Sequence, residues 1–265
     1  MDSSDVSSLV ADMLTFRGRS LTAQQTDLII ERSQQESSAL YLSLAVSVVC
    51  KWNSFTDVSE TVLSSGVSQL IKQIFTVAEK FFGRVVIRAA LGFITVSING
   101  LSDTEVLDLL SLHKDVMKEV NQYATANAYE LAERLPAHVW LRIRHYFAGL
   151  LVEREEGRLF WYHRQLQETA AEVYGPSADL SICEILGRYF GGLIPTHVLE
   201  AKCVTPQPLV FAADSDMVWF PETVINKRRC VEAARHLRVA GLLQEAIEEL
   251  CSVEAVAARA KCGMG

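Results

Sequence analysis

Among the six histidines of the sequence, His163 stands where its chemistry could serve a ligand. It follows the aromatic run Phe160–Tyr162 and precedes Arg164, where a predicted strand turns into a predicted helix. A histidine at a helix N-terminus, flanked by a guanidinium and by backbone N–H groups, can help to hold an anion. Spacing alone favours the plainer interpretation, a histidine that starts the helix beside an aromatic neighbour, and both interpretations stay open.

The sequence lacks the other patterns that commonly indicate chemistry. It contains no G-x-x-x-x-G-K-[ST] phosphate loop, no G-x-S-x-G or H-E-x-x-H motif, and no His/Cys spacing of a metal site. The remaining histidines are expected at the surface or half-buried: His113, His138, His145, His197 and His236. The acidic pairs Glu155-Glu156 and Glu248-Glu249 are expected on solvated faces or in turns. These residues by themselves predict neither an enzyme nor a metal centre.

The composition is that of an ordinary globular chain. Of its 265 residues 49% are apolar and 22% are charged, and Lys+Arg 25 against Asp+Glu 32 leave a net charge of −7. An acidic chain is poorly suited to bind nucleic acid through bulk charge. Six cysteines without a C-x-x-C pair suit reduced thiols, and neither a signal peptide nor a membrane-spanning stretch is visible. We therefore expect a cytoplasmic protein without a membrane partner.

Helical patterns dominate the first half of the chain, where no proline precedes Pro136. Thr22 and Gln25 form a predicted capping box at a helix start. The segment Leu40–Val49 is apolar on nearly all sides, which is typical of a buried helix. The apolar spacing of Val67–Ala78 predicts an amphipathic helix.

Helices are also predicted between residue 88 and the hairpin described below. Arg88–Val96 is apolar and β-branched, so a strand is possible there, but its continuation into a helix start argues against one. Ser102 with Glu105 forms the capping box of that next helix. A further helix begins at Leu135-Pro136, with the proline at its first position.

One β-hairpin is predicted after these helices. It pairs Leu150–Val152 with Leu159–Tyr162 around the turn Glu153–Arg158, in which Gly157 supplies a positive φ. The polar helix Arg164–Tyr174 follows. Three helices and then a two-stranded wing describe a winged-helix domain.

The rest of the chain is expected to be helical. Ser181–Phe190 and Glu222–Ala240 are predicted helices, separated by an irregular region that contains prolines. Cys230–Lys261 is predicted to form two or three short helices hinged at Gly241. That arrangement is similar to the first units of an α-solenoid.

A winged helix raises the question of DNA binding. The helix that would enter the major groove, Pro136–Phe147, offers Arg142 and Arg144. It is also expected to expose Val139 and Trp140. Over the winged-helix segment nine Lys and Arg stand against twelve Asp and Glu, and the glutamates of the wing would repel phosphate. We therefore expect no nucleic-acid partner.

The run Phe160–Glu168 resembles the F-x-H-x-x-x-Q-E signature that closes the winged helix of NACHT-type STAND ATPases, and Gly100–Glu105 looks like the G-L-S-E-x-E helix start of the same proteins. Further segments are similar to these proteins in the same order: Leu21–Gln25 and Leu40–Leu44 to their helical lid, Leu135–Arg142 and Leu151–Arg154 to their winged helix, and Asn226–Gly241 to the helical array that follows. The resemblance covers almost the whole chain and points to nephrocystin-like, telomerase-associated-protein-like and NACHT–WD-repeat proteins.

The resemblance implies a conformational switch. In such proteins ADP is held between a nucleotide-binding domain and the winged helix, and exchange for ATP releases the winged helix and permits oligomerisation. The histidine at the position of His163 touches the ADP phosphate, so His163 is the implied cofactor-binding residue. The lid of the family usually has a proline where this chain has Ala39. The nucleotide-binding core lies outside this sequence, so ADP or ATP is expected only where that domain is supplied.

The predicted fold class is mainly α. Residues 1–82 are predicted to form a helical lid, residues 83–175 a winged-helix domain with a small β-hairpin wing, and residues 176–265 a helical domain that begins an α-helical repeat array. The first functional hypothesis is the regulatory part of a NACHT-like switch, a fragment or a degenerate descendant, without catalysis of its own.

The alternative is a helical interaction adaptor that binds no nucleotide and uses its C-terminal helices. Protein partners, or self-association through the helical regions, are expected in either case. The behaviour of the purified chain in size-exclusion chromatography separates the two hypotheses, because an isolated fragment should expose sticky apolar surface whereas an adaptor should be a folded monomer.

Overall fold

The computed structural model describes residues 3–36, 38–53, 63–126, 131–211 and 224–263. The chain divides into two compact units, Met1–Ala78 and Glu79–Gly265. The domain limits expected after residues 82 and 175 stay predictions.

The described part of the first unit is helical. Its helices are α1 (Ser3–Phe16), α2 (Ala23–Glu36), α3 (Ala39–Val49) and α4 (Val67–Phe82), the last of which crosses the unit boundary.

Local signals account for three of these helices. The capping box of α2 is present, because the Thr22 N–H donates to Gln25 Oε1 (3.1 Å) and the Gln25 N–H donates to Thr22 Oγ1 (3.3 Å). In α3, burial raises the pKa of Tyr41 to about 12, and its hydroxyl donates to the Ser64 carbonyl at 2.8 Å. The apolar stripe of α4 is buried: Leu70, Ile71, Ile74, Phe75 and Ala78. These helices are confirmed, whereas α1 was not predicted.

The described part of the second unit contains further helices and two small two-stranded antiparallel sheets. In chain order its described elements are α5 (Arg84–Val96), α6 (Asp103–Leu112), α7 (Lys114–Ala126), α8 (Ala137–Tyr146), β1 (Leu151–Arg154), β2 (Arg158–Trp161), α9 (Arg164–Tyr174), α10 (Ser181–Phe190), α11 (Thr196–Lys202), β3 (Val210–Phe211), β4 (Val224–Ile225), α12 (Lys227–Val239), α13 (Leu243–Cys251) and α14 (Val253–Lys261). The chain is therefore mainly α with a winged helix and a small wing, as predicted.

The winged helix is built around α5, which is buried on almost every side because its residues are nearly all apolar. It packs against α6, α7, α9 and α10, and the strand considered for its residues is not formed. The predicted capping box of α6 is present, with the Ser102 N–H donating to Glu105 Oε2 (2.9 Å) and the Glu105 N–H donating to Ser102 Oγ (3.3 Å). A later helix, α8, was expected to have Pro136 as its first residue, but the extended backbone of Pro136 makes it the N-cap of α8.

The turn of the wing is shorter than the sequence predicts. β1 and β2 are antiparallel, with Leu151 opposite Trp161 and Arg154 opposite Arg158. Only Glu155–Gly157 remains outside the strands, as a 3-10 turn. Gly157 has the predicted positive φ (70°), and the preceding Glu156 shares the left-handed region (φ 61°). Two consecutive left-handed residues close a hairpin tightly, so the turn is shorter than the predicted one.

The described part of the region between α10 and α12 contains elements that were not predicted. It contains α11 and β3, and β4 occupies Val224–Ile225. The helix expected from Glu222 therefore begins at Lys227, where Asn226 Oδ1 accepts from the Arg229 N–H at 3.0 Å. Strand β4 thus takes Val224 and Ile225, which the helical pattern had assigned to α12, whereas Glu222 lies outside the described residues.

The close approach of α10 and α12 depends on a glycine. A Cβ atom at Gly187 would lie 2.8 Å from the backbone nitrogen of Leu237, so only glycine fits there. Gly241, with a φ of 81°, separates α12 from α13 as the sequence predicts.

Among the described residues, no helix combines the length and the apolar composition that crossing a membrane requires. The six cysteines are free thiols.

Candidate functional site

His163 lies at the N-cap of α9, where the sequence places it. Its backbone is extended (φ −131°, ψ 147°), and its Nδ1 accepts a hydrogen bond from the Gln165 N–H at 3.2 Å. The imidazole is exposed. The structure therefore shows the helix-starting role of this histidine, and its role toward an anion stays a prediction.

The cap determines which nitrogen of the His163 ring can act as a donor. Because Nδ1 accepts from the backbone, the neutral ring carries its proton on Nε2, at the opposite edge of the ring. The N–H groups of Leu166 and Gln167 both donate to the His163 carbonyl, at 3.0 and 3.2 Å. The neighbouring Arg164 is paired with Glu168 at 2.7 Å, on the exposed side of the helix. This end of α9 therefore fits one contact to a phosphate oxygen and does not form a whole phosphate site.

Two side chains on either side of His163 in sequence form hydrogen bonds with Thr95, near the C-terminal end of α5. The Trp161 indole N–H donates to Thr95 Oγ1 (3.0 Å), and the Gln167 amide donates to the Thr95 carbonyl (2.8 Å). The ring of Phe160 lies against Gly100, where a Cβ atom would come within 2.6 Å of two ring carbons. The short segment from Thr95 to Gly100 therefore positions the end of the wing and the start of α9.

The same segment is bound from its other side by α12. Arg228, Glu232 and His236 are four residues apart, so they share one face of this helix. Glu232 is completely buried and accepts from the Ile98 N–H (3.0 Å), the Asn99 N–H (2.8 Å) and His236 Nε2 (2.7 Å). Burial alone would raise the pKa of Glu232, but hydrogen bonds from His236 and from the two backbone amides together lower it.

Arg228 extends this contact toward α6. Its guanidinium donates to the Gly100 carbonyl at 2.6 Å, and it also forms an ion pair with Glu105. It lies over the ring of Phe190, 5.0 Å from the ring centre. Arg228 therefore joins the turn after α5, the capping box of α6 and α10.

Sequence reasoning missed this cluster and misplaced His236 in it, together with two residues elsewhere in the second unit. His236 is 1% exposed and His113 is 6% exposed, although both were expected at the surface or half-buried. Glu249, expected in a solvated face, receives two hydrogen bonds from Arg229 (2.8 and 2.9 Å) and keeps only 10% of its side-chain surface exposed. The four-residue spacing of Arg228, Glu232 and His236 was the one sequence signal that could have indicated the buried face.

The buried cluster does not have the order of a catalytic triad. Ser97 Oγ donates to Glu232 at 3.2 Å and His236 binds the same carboxylate, so the carboxylate stands between the hydroxyl and the imidazole. A triad requires the imidazole beside the hydroxyl as its base. Among the described residues, no group of three or more His, Cys, Asp and Glu side chains could hold a metal ion.

A second buried carboxylate on α6 holds the chain that follows α11. Asp108 has no exposed surface and pairs with Arg134 at 2.8 Å. It also accepts from the backbone N–H groups of Val204 (3.0 Å) and Thr205 (2.8 Å) and from the Tyr189 hydroxyl (3.2 Å). Burial and the Asp108 charge raise the pKa of Tyr189. This arrangement serves packing, because each of its groups has a partner within the protein.

The helix that would read DNA differs from its prediction. Trp140 was expected to be exposed, but it is completely buried, and its indole N–H donates to Asp103 at 2.7 Å. Arg144 pairs with both Asp103 and Glu153, each at 2.5 Å. A groove of about 420 Å³ lies between α8 and the wing, beside the exposed side chain of Leu141. The contact between Trp140 and Asp103 turns this face of α8 toward the core.

Ala39, which stands where the family resemblance implies a proline, is the exposed first residue of α3. It belongs to the first compact unit, whereas His163 belongs to the second. The structure therefore gives no shared geometry for these two positions.

Comparison with known proteins identifies relatives of this chain. A family model described as the NWD1-like, winged helix-turn-helix domain matches residues 54–155. The human NACHT domain- and WD repeat-containing protein 1 is 29% identical over 255 residues, which cover 90% of this chain and 16% of that protein. The human NACHT and WD repeat domain-containing protein 2 is 31% identical over 191 residues, which cover 70% of this chain and 11% of that protein.

The mouse NACHT and WD repeat domain-containing protein 2 is similar to the same extent, with 32% identity over 192 residues. No solved structure matches the chain. The chain thus spans 11 to 16% of the length of these relatives. Together with the wing and the capped helix that follows it, these matches show that the chain belongs to the family of NACHT and WD repeat-containing proteins.

Proposed function

We propose that this chain is the regulatory part of a nucleotide-dependent signalling switch. In this proposal a nucleotide-binding domain, which this sequence does not contain, binds ADP, and His163 contributes a contact to the phosphate. Exchange of ADP for ATP removes that contact and releases the winged helix for oligomerisation. A contact made in only one nucleotide state is what gives a ligand different affinities for the two conformations.

The geometry of His163 carries this proposal. Its Nδ1 is engaged by the backbone of α9, so the proton-bearing Nε2 is on the opposite edge of an exposed ring at a helix N-terminus. A helix N-terminus attracts negative charge, which adds to the hydrogen bond that Nε2 can donate. The resemblance to NACHT-type STAND ATPases, in which ADP is held against the winged helix, supports a nucleotide as the source of that charge.

No catalysis is assigned to the chain alone. Its sequence has no phosphate loop, and the Ser97–Glu232–His236 cluster lacks the order of a nucleophile and its base. Hydrolysis needs groups that cradle the triphosphate and hold Mg²⁺, so these would come from the nucleotide-binding domain. We place the protein in the cytoplasm, with protein partners or copies of itself and with neither membrane nor nucleic acid as a partner.

The test is the rate at which ADP dissociates from a polypeptide in which this chain follows a nucleotide-binding domain. We expect His163→Asn to release ADP about 10- to 100-fold faster, because a hydrogen bond to a charged group contributes about 1.5–3 kcal/mol. Asparagine is itself a good N-cap residue, so the substitution keeps α9 capped and removes only the imidazole.

His145→Ala is the matched control, because His145 is another exposed histidine, near the C-terminus of α8. It should leave ADP release unchanged. Unchanged ADP release in His163→Asn would remove the proposed contact. Equal acceleration in both variants would show a general effect on stability and would equally count against it.

An exposed apolar stripe favours a second candidate function, a helical adaptor for protein partners. On α13 and α14 five large apolar side chains are exposed: Leu243, Ile247, Leu250, Val253 and Val256. The first three follow helical spacing and form one face of α13. Size-exclusion chromatography of the purified chain discriminates here, since an adaptor should elute as a folded monomer and a dependent fragment should self-associate.

A further inference from the structure

We propose that Glu232 of α12 is a positioning residue, which acts through residues 95–101 on the end of the wing and the start of α9 that carry His163. This inference deepens the proposed function and rests on it only for the role of His163. Its basis is that hydrogen bonds from two different parts of the chain converge on one short segment. The first part is α12, and the second is the wing with α9.

The contact with α12 depends on a buried negative charge. Glu232 accepts from the backbone N–H groups of Ile98 and Asn99, and Ser97 Oγ donates to the same carboxylate. Leaving a backbone N–H group without its acceptor inside the protein costs folding free energy, so the conformation of this turn depends on the carboxylate. The contact joins residues that are more than 130 positions apart in sequence, at a separation of 133 for Asn99 and Glu232.

The contact with the wing involves both ends of the same segment. At its first residue, Thr95 binds the Trp161 indole and the Gln167 amide. At its last residue, the Leu101 carbonyl accepts from the Leu159 N–H at 2.9 Å. His163 lies between Trp161 and Gln167, so its placement depends on these contacts.

Close packing leaves the segment little room to move independently. The Phe160 ring occupies the space beside Gly100, and Arg228 holds the carbonyl of the same glycine at 2.6 Å. Because packed interiors transmit displacement rather than absorb it, a shift of the turn must move the ring or break the contact. A displacement of α12 therefore changes the placement of His163. By linkage, a ligand that fixes His163 stabilises the docked position of α12.

The test compares Glu232→Gln with Glu249→Gln in this chain. Glutamine keeps the shape of the side chain but replaces one acceptor oxygen with an amide that donates. Glu249 is a matched control, because it is also a mostly buried carboxylate paired with a residue of α12. That residue, Arg229, forms no described hydrogen bond with residues 95–101. The readouts are amide hydrogen exchange and the indole N–H resonance of Trp161.

For Glu232→Gln we expect amide exchange at Ile98 and Asn99 to be about tenfold faster. The backbone amides between Trp161 and Gln167 should also exchange faster, and the Trp161 indole resonance should shift. The indole resonance of Trp52, in the first compact unit, reports on general effects and should not move. Glu249→Gln should leave the Trp161 resonance and both amide segments unchanged.

A change confined to Ile98 and Asn99 would overturn the inference, because it would show that Glu232 holds only the turn. A shift of the Trp161 resonance in both variants would also overturn it. If Glu232→Gln does not fold, Ser97→Ala replaces it with the same readouts, since it removes one donor to the carboxylate and keeps the charge. None of these readouts involves a nucleotide, so their outcome is independent of the test of ADP release.

Discussion

Replacement of Asp108 by alanine should be among the most damaging single changes in the second unit. The side chain has no exposed surface, and its two oxygens serve Arg134, the backbone N–H groups of Val204 and Thr205, and the Tyr189 hydroxyl. Alanine removes the acceptor of all these donors at once. It also leaves the Arg134 guanidinium without its buried partner.

The size of the effect follows from how far water can reach the groups left behind. Losing one partner of a fully buried ion pair costs about 3–5 kcal/mol. Here the side chain of Arg134 is 32% exposed and Val204 is 61% exposed, so water can partly replace Asp108 at both. We therefore expect the free energy of unfolding to fall by about 2–4 kcal/mol in Asp108→Ala. Asp108→Asn, which keeps one acceptor oxygen, should lose less.

Urea unfolding measures this loss, and amide exchange at Val204 and Thr205 locates it. The control is Glu200→Ala, which removes an exposed carboxylate from α11 and should change stability by no more than about 0.5 kcal/mol. If Asp108→Ala were no less stable than Glu200→Ala, the assignment of Asp108 as the residue that holds the chain after α11 would be wrong.

Two further predictions concern a turn and a buried histidine. Gly100→Ala should destabilise the chain by about 2–4 kcal/mol, because its φ of 66° strains any Cβ and this one would also meet the Phe160 ring at 2.6 Å. Gly149 also has a positive φ (85°), but a Cβ atom there would meet nothing within 4 Å, so Gly149→Ala should cost only about 1–2 kcal/mol. If urea unfolding showed equal losses of stability for Gly100→Ala and Gly149→Ala, the close contact with Phe160 would be contradicted. Burial lowers the pKa of His113 from 6.5, so the folded state binds this proton less readily than the unfolded chain and stability should fall as the pH drops below about 6.5. His113→Gln should flatten that pH dependence, and an unchanged slope of unfolding free energy against pH would refute the assignment.

The elements of this protein follow from its sequence wherever a local signal is strong. The capping boxes of α2 and α6 are read from residues three apart, and the hydrogen bonds that they predict are present. The bounds of α9 and α10 agree with their predictions. The ordered series of motifs also indicated the NACHT–WD-repeat family. These features depend on neighbouring residues, so a single sequence contains them.

The burial of polar and aromatic groups was decided by tertiary structure. Trp140 and His236 look like surface residues in their local sequence, but residues distant in the chain enclose them. Trp140 binds Asp103 at a sequence separation of 37, and the carboxylate that holds His236 also holds Asn99 at a separation of 133. A local pattern indicates which side chains are polar. Only the packing of helices that are distant in sequence decides which of these side chains are buried and hydrogen-bonded.

The position of His163 shows both contributions together. Its place at the start of α9 follows from the order of strand, aromatic residues and polar helix along the chain. No local pattern predicts the contacts that orient this part of the chain. Thr95 binds Trp161 across 66 positions, and Glu232 holds the turn that follows Thr95. A local sequence pattern places a residue on an element, whereas the orientation of that element depends on contacts that form only when the chain folds.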